Sequence, residues 1–324
     1  MRRSLSATRA VYRTAAATVV LAAAATAGCG GGDGGNDTGL SGFDIEDVGF
    51  MTPESVLADT VADVYLVSNI NGGPTDKDDN GFISRVSPDG QVLELKWIDG
   101  TALPAELHAP KGMAIRGDSL YIADVDCVRV FNRVSGAPVE QICIDGATFL
   151  NDVAFSKDGS LFVTDSGLQG PNLEPSGTDA IYRLSLRAGV EDQTIAQSPN
   201  LGAPNGIAIG PRGIFVATFG SGQIVRYTVD ADPPATVHPE SDRQIDGIVF
   251  LNDGGFAFSS WGDSAVYHVS AAGTVQPLLT GIESPADIGY DPRRNRILVP
   301  LFTQNKVLVR HLGDEPAAGG ESGG

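Results

Sequence analysis

Pro204 to Thr228 reads PNGIAIGPRGIFVATFGSGQIVRYT, and its punctuation decides the fold. Ile207-Ala208-Ile209 is a short apolar run, and Pro211-Arg212-Gly213 turns the chain back. Ile214 to Thr218 is a second β-rich run, Gly220-Ser221-Gly222 turns again, and Ile224 to Tyr227 is a third. Short apolar runs bounded by Gly and Pro read as antiparallel strands joined by tight turns. No stretch here carries helical periodicity over a useful length.

The same pattern recurs in KGMAIRGDSLYIADVDCVRVFN from Lys111, LNDVAFSKDGSLFVTD from Leu150, IDGIVFLNDGGFAFSSWGDSAVYHVS from Ile245 and ADIGYDPRRNRILVPLFTQNKVLVRH from Ala286. The residue before each first apolar run is Gly112, Asp152, Gly206, Gly247 and Asp287, giving spacings of 40, 54, 41 and 40 residues. A weaker first copy spans Glu54 to Val86. A unit of roughly 40 residues built from a few short strands is the signature of propeller blades. The expectation is an all-β, six-bladed β-propeller over residues 43–312. The last copy has three strands, so Phe43 to Phe50, FDIEDVGF, is expected to supply its fourth and close the ring, since closure removes unpaired edges.

Outside that domain the chain changes character. Residues 1–28 read as a targeting segment, in which Arg2, Arg3, Arg9 and Arg13 accompany an apolar run too short to span a bilayer. Thr26-Ala27-Gly28-Cys29 resembles a bacterial lipobox, with Thr26 in place of the usual leucine. Lipid attachment at Cys29 is expected, against the alternative of an ordinary cleavage site. The Gly-rich stretch that follows makes residues 29–42 a tether, and the acidic, Gly-rich residues 313–324 read as a disordered tail. The protein is therefore expected outside the cytoplasm, lipid-anchored on the periplasmic or cell-surface side of a bacterial membrane.

The whole chain carries 22 Lys and Arg against 40 Asp and Glu, a net charge of −18. Removing the four leader arginines leaves 18 against 40, or −22. Such a surface repels nucleic acid and anionic lipid and tolerates calcium. A small-molecule substrate, a lipid anchor as the sole membrane contact, and a monomer are expected. Cys127 and Cys143 flank a hairpin centred on Ser135; in an exported protein they form either a disulfide or two buried thiols on adjacent strands.

In a ring of four-stranded blades, loops entering the inner strand and loops joining the second and third strands share one face. The two longest second-to-third connections, Ser68 to Gly81 and Asp165 to Asp179, hang over that face, where function concentrates. The residue before the aligned Gly/Asp column is Glu54, Lys111, Asn151, Asn205, Asp246 and Ala286. A ring brings all six to the mouth of the central channel. Glu54, Asn151, Asn205 and Asp246 offer side-chain oxygens, the ligand set a hard divalent cation takes. Lys111 in the same ring is expected to be a solvated rim lysine. Trp261 either lines the mouth or packs between blades.

These motifs resemble the regucalcin/gluconolactonase (senescence marker protein) family of six-bladed propellers, over about Gly49 to His311. The family's Glu is matched loosely by Glu54-Ser55-Val56, its Asn-Asp by Asn151-Asp152, its Asn-Gly by Asn205-Gly206 and its Asp-Gly by Asp246-Gly247. The resemblance implies a metal, calcium by the ligand type, held by Glu54, Asn151, Asn205 and Asp246. It also implies hydrolysis of a lactone or ester, with Asp246 as general base. The family's substrate-binding Arg is replaced by Phe149, which points to a more apolar substrate or to none. The rival is a non-catalytic propeller with NHL-like repeats that binds a ligand or protein, in which Asn-Gly and Asp-Gly are turn chemistry. Glu54 has no such turn rationale.

Asp76-Lys77-Asp78-Asp79-Asn80-Gly81 matches the opening of a calcium loop, with Asp76, Asp78 and Asn80 as candidate ligands. Ser87 replaces the acidic residue at the twelfth position, so a solvated acidic turn is the alternative. The four histidines show no metal spacing and no pair of the kind streptogramin lyase would need.

Overall fold

In a computed structural model of the chain, the described residues are 7–11, 39–102, 104, 106–187, 189–228, 233–313. Short antiparallel strands dominate them, with one 3₁₀ turn at Gly100–Ala102. Four-stranded sheets recur six times around a ring. The inner strands, a, are Pro53–Asp59, Pro110–Arg116, Leu150–Phe155, Pro204–Gly210, Ile245–Phe250 and Gly289–Asp291. The second strands, b, are Val64–Asn69, Ser119–Asp124, Leu161–Asp165, Gly213–Thr218, Phe256–Ser260 and Arg296–Leu301. These define blades 1 to 6.

Successive side chains point to opposite faces of a strand, and the second strands are buried on both, which requires a neighbouring blade on either side. The core is accordingly a set of seams. Ile83, Leu120 and Ile122 join blades 1 and 2; Val130, Val153 and Leu161 join blades 2 and 3. Ile181, Ile207 and Val216 join blades 3 and 4, Phe215 and Phe258 join blades 4 and 5, and Ala257 and Ile297 join blades 5 and 6. Val56 and Tyr65 meet Leu298 and Val309 where blade 1 returns to blade 6.

The ring closes with an N-terminal strand, Gly42–Ile45, paired antiparallel to Lys306–His311 in the register Phe43–Val309 and Ile45–Val307. Pairing stops at Ile45, before the expected end at Phe50, because Phe50 is instead buried in the seam of blades 6 and 1. The expected span of the targeting segment is only partly described. Ala7–Val11 lies as a fifth strand on the outer edge of blade 2, where Arg9 donates to Ser185 O at 2.7 Å. Cys29, the apolar run and the tail from residue 314 lie outside the described residues.

Cys127 and Cys143 face each other across the third and fourth strands of blade 2 and form a disulfide. The long connection after Asp165 contains a small hairpin, Leu168–Gln169 with Glu174–Pro175. It meets the blade 1 connection where Thr75 Oγ1 donates to Gly170 O at 3.2 Å, while Lys77 pairs with Asp126 of blade 2 at 2.6 Å. The two long loops thus cover blades 1 to 3 on one face.

Candidate functional site

Each of the first five inner strands slips register at its start. The shifts lie between Pro53 and Ser55, Pro110 and Met113, Leu150 and Val153, Pro204 and Ile207, and Ile245 and Ile248. Glu54, Lys111, Asn151, Asn205 and Asp246 fall inside these irregularities. Bulges re-aim side chains that regular pleating would direct into a seam. The backbone is held there by strand b hydroxyls: Ser68 accepts from Ser55 N at 2.9 Å, Thr164 from Asp152 N at 3.0 Å, and Ser259 from Gly247 N at 2.8 Å. The latter two also donate to the next blade, Thr164 to Asn205 O at 2.5 Å and Ser259 to Ala286 O at 2.7 Å.

The inner strands touch one another around the ring. Asp287 N donates to Glu54 O at 2.9 Å, and Ile207 N donates to Asp152 Oδ2 at 2.7 Å. A Cβ on Gly112 would fall 2.7 Å from Asp152 Cα, one on Gly206 2.5 Å from Asp246 O, and one on Gly247 2.4 Å from Ile288 N. Gly112, Gly206 and Gly247 in the aligned column therefore reflect packing at the axis, where a Gly in one blade makes room for its neighbour.

Glu54, Asn151, Asn205 and Asp246 are 5, 2, 5 and 4 % exposed. Each has one buried oxygen without a hydrogen-bond partner: Glu54 Oε2, Asn151 Oδ1, Asn205 Oδ1 and Asp246 Oδ1. Buried polar atoms are normally satisfied, so four orphaned acceptors at equivalent positions of four blades need a reason. Their chemistry, two carboxylates and two amide carbonyls, fits a hard cation such as calcium. Among the described residues no group of three or more His, Cys, Asp or Glu is arranged to hold a metal, so such a set depends on the two amides.

A second acidic layer accompanies them. Asp152 accepts from Val153 N and Ile207 N, each at 2.7 Å, and Asp287 accepts from Ser55 Oγ at 2.5 Å. Burial, with Asp246 and Asp287 nearby, pushes the Glu54 carboxyl well up, and Lys111 opposes this. Burial and Asp287 likewise raise Asp246, against the Trp261 indole, which lies near that carboxyl without hydrogen-bonding geometry. Asp152 is raised by burial and by Asp287, and burial pushes Asp287 up to about 7. Four carboxyls in one desolvated channel cannot all ionise without a counter-charge. Sequence reasoning placed Asp152 and Asp287 in the aligned column without giving them a part in the site; the available signal was an Asp standing where other blades carry Gly.

Lys111 corrects the expectation of a solvated rim residue. It is 1 % exposed, its Nζ donates to Ala109 O at 2.8 Å, and it sits 4.5 Å from the centre of the Phe149 ring. Burial lowers its pKa to about 8, opposed by Glu54 and Asp124. Phe149, in place of a family arginine, thus serves as a face for an internal ammonium.

The Asp76–Gly81 turn satisfies much of itself. Asp76 Oδ2 accepts from Gly73 N at 3.0 Å, and Asp78 Oδ2 accepts from Asn80 Nδ2 at 2.6 Å. Asn80 Oδ1 is buried without a hydrogen-bond partner, and Asp79 Oδ1 lies 3.1 Å from His108 Nδ1. His108 Nδ1 accepts from Asp79 N at 3.3 Å, while His268 pairs with Asp253 and His311 accepts from Arg296 Nε.

A family profile described as the SMP-30/gluconolactonase/LRE-like region matches residues 79–288. The match contains Asn151, Asn205 and Asp246 and begins after Glu54. Among solved structures, a gluconolactonase from Xanthomonas campestris shares 18 % identity and a TM-score of 0.62 over 81 % of this chain and 86 % of that one. A structural-genomics target assigned to the gluconolactonases gives 18 % and 0.65 over 84 % and 92 %. Virginiamycin B lyase from Staphylococcus aureus gives 12 % and 0.60 over 85 % and 100 %. At such identities the likeness is one of fold. No curated protein gives a significant sequence match. With well over half of its length matched by the family profile and its six blades in place, the chain belongs to the SMP-30/gluconolactonase/LRE-like family.

Proposed function

We propose that this protein is a divalent-cation-dependent hydrolase of a lactone or ester, with calcium as the ion, acting at the mouth of the propeller channel. One observation carries the reading: Glu54, Asn151, Asn205 and Asp246 each leave a buried oxygen without a partner. Family membership and the gluconolactonase named among the structural neighbours support the reaction class.

A cation held by those four residues would polarise a carbonyl and make water easier to deprotonate. The remaining work falls to the chain. Asp246 is the proposed general base for that water; beside a bound cation its carboxyl would stay ionised against the upward push of burial and Asp287. The Trp261 indole, close to the same carboxyl, favours the ionised form. Lys111 offsets part of the negative charge from beside Phe149. The burial of all four candidate ligands restricts the water that reaches them.

We also infer an exported, lipid-anchored protein. The Cys127–Cys143 disulfide supports an oxidising compartment, and Cys29 remains the proposed attachment point.

Calorimetric titration of calcium into the chelator-treated 43–312 fragment, beside Asp246→Ala, tests the centre. Saturable binding that the substitution removes is expected, followed by turnover in a screen of lactones and esters. Absence of binding overturns the metal hydrolase and leaves a cation-free binding propeller. Binding unchanged in Asp246→Ala moves the ion to the Asp76–Gly81 turn.

A further inference from the structure

The residue that follows strand b occupies the same place in every blade, on the face where the inner strands begin. In order these residues are Ile70, Val125, Ser166, Phe219, Trp261 and Phe302. Five of their amides bond back to the segment just before the site position: Ile70 N to Thr52 O, Ser166 N to Phe149 O, Phe219 N to Ala203 O, Trp261 N to Gln244 O and Phe302 N to Ser284 O, at 2.9–3.1 Å. Each acceptor lies two residues before Glu54, Asn151, Asn205, Asp246 or Ala286. These side chains therefore form the lip directly above the acidic ring.

That lip is apolar in five positions of six. Ile70 and Val125 are buried with Ala109, against Phe302. Phe219, Trp261 and Phe302 are half-buried and continuous: the Phe219 and Trp261 ring centres are 5.6 Å apart, and those of Trp261 and Phe302 are 5.4 Å apart. The long loops cover blades 1 to 3, so the aromatic face belongs to the other half of the mouth, on blades 4 to 6. Trp261 links the two layers, since its ring lies in the lip while its Nε1 is buried, unpartnered and near the Asp246 carboxyl.

Two polar groups beside the lip that could recognise a polyol are already engaged. The Ser166 hydroxyl donates to Pro204 O at 2.6 Å, and the Lys111 ammonium is held by Ala109 O and the Phe149 ring. A sugar lactone brought against this lip would lose hydration of its hydroxyls without replacement. An alkyl or aryl group would bury apolar area on the three rings and give up no such hydration.

We propose that Phe219, Trp261 and Phe302 form a binding shelf that selects lactones or esters carrying an apolar alkyl or aryl group over polyhydroxylated ones. The substrate class rests on the hydrolase reading above; binding at the shelf does not.

The experiment uses Trp97→Phe protein, in which Trp261 is the remaining tryptophan. An octyl γ-lactam and gluconolactam, neither hydrolysed as a lactone would be, are titrated against its fluorescence with calcium present. In parallel, kcat/KM is measured for octyl γ-lactone and δ-gluconolactone in the parent, Phe219→Ala and Phe302→Ala. The octyl lactam should shift Trp261 emission saturably and gluconolactam should not. Each alanine variant should lower kcat/KM for the octyl lactone by about tenfold, mainly through KM, and leave gluconolactone unchanged. Gluconolactam binding as tightly as the octyl lactam, or an octyl-to-gluconolactone ratio that neither variant moves, would overturn the shelf. Saturable octyl lactam binding without turnover of any lactone retains the shelf and removes the hydrolase.

Discussion

At Lys111 a primary ammonium is enclosed with Glu54 and Asp124 within electrostatic reach, and its pKa falls to about 8 because burial outweighs both carboxylates. A resident cation beside a calcium site opposes the ion. Lys111→Met should therefore raise calcium affinity by on the order of tenfold, read by calorimetry; weaker binding would show that the ammonium organises the site instead. The acids behave in the opposite sense. Asp287 titrates at about 7 in the folded chain against an ordinary 3.8. A carboxyl raised on folding stabilises the folded state while protonated, and that contribution is lost as pH rises from the unfolded value through the folded one. Glu54, Asp152 and Asp246 shift the same way. Chelated protein should lose thermal stability as pH rises from about 4 to about 7, and calcium should restore it at the upper end. The Lys111 shift acts only between about 8 and 10.5, above this window. Scanning calorimetry with and without calcium, repeated on Asp287→Asn, checks this; a slope unchanged by that substitution would assign the effect elsewhere.

The inner strand is the element that makes a site out of a repeat. Its bulge turns one side chain per blade out of the seam, and the next residue must be small wherever the neighbouring strand crowds it. Gly247→Ala would set a Cβ 2.4 Å from Ile288 N and 2.7 Å from Asp287 Cα, atoms of backbone that cannot swing aside. A loss of about 1–3 kcal/mol is expected from urea unfolding, with weakened calcium binding because Asp287 must move. In blade 2 the disulfide ties the third and fourth strands across 16 residues. Replacing both cysteines by alanine should cost about 2–3 kcal/mol, and dithiothreitol should lower the melting temperature of the parent but not of the double variant.

Across the whole molecule, closure depends on four residues. Gly42–Ile45 pairs blade 6, and Ile45 is buried where blades 6 and 1 meet. A chain beginning at residue 47 should melt well below one beginning at residue 40, whereas the latter should melt close to the full chain if the Ala7–Val11 strand is peripheral. Comparing the three melts decides both points. Much of this architecture is legible in the sequence, because period-two runs between Gly and Pro recur every 40 residues or so and a three-stranded final copy demands a strand from elsewhere. The residues of the ring are legible too, since Glu54, Asn151, Asn205 and Asp246 occupy one column of the repeat. The second layer is not. Whether Asp152 and Asp287 are turn residues or channel acids, whether Lys111 meets solvent or the Phe149 ring, and whether Trp261 faces a seam or the lip depend on how closely the inner strands approach. The repeat determined which positions are equivalent, a property of local order along the chain. Their burial, charge state and company were decided only by tertiary structure, because residues 40 or more apart in sequence become neighbours at an axis too narrow for a Cβ on Gly112, Gly206 or Gly247.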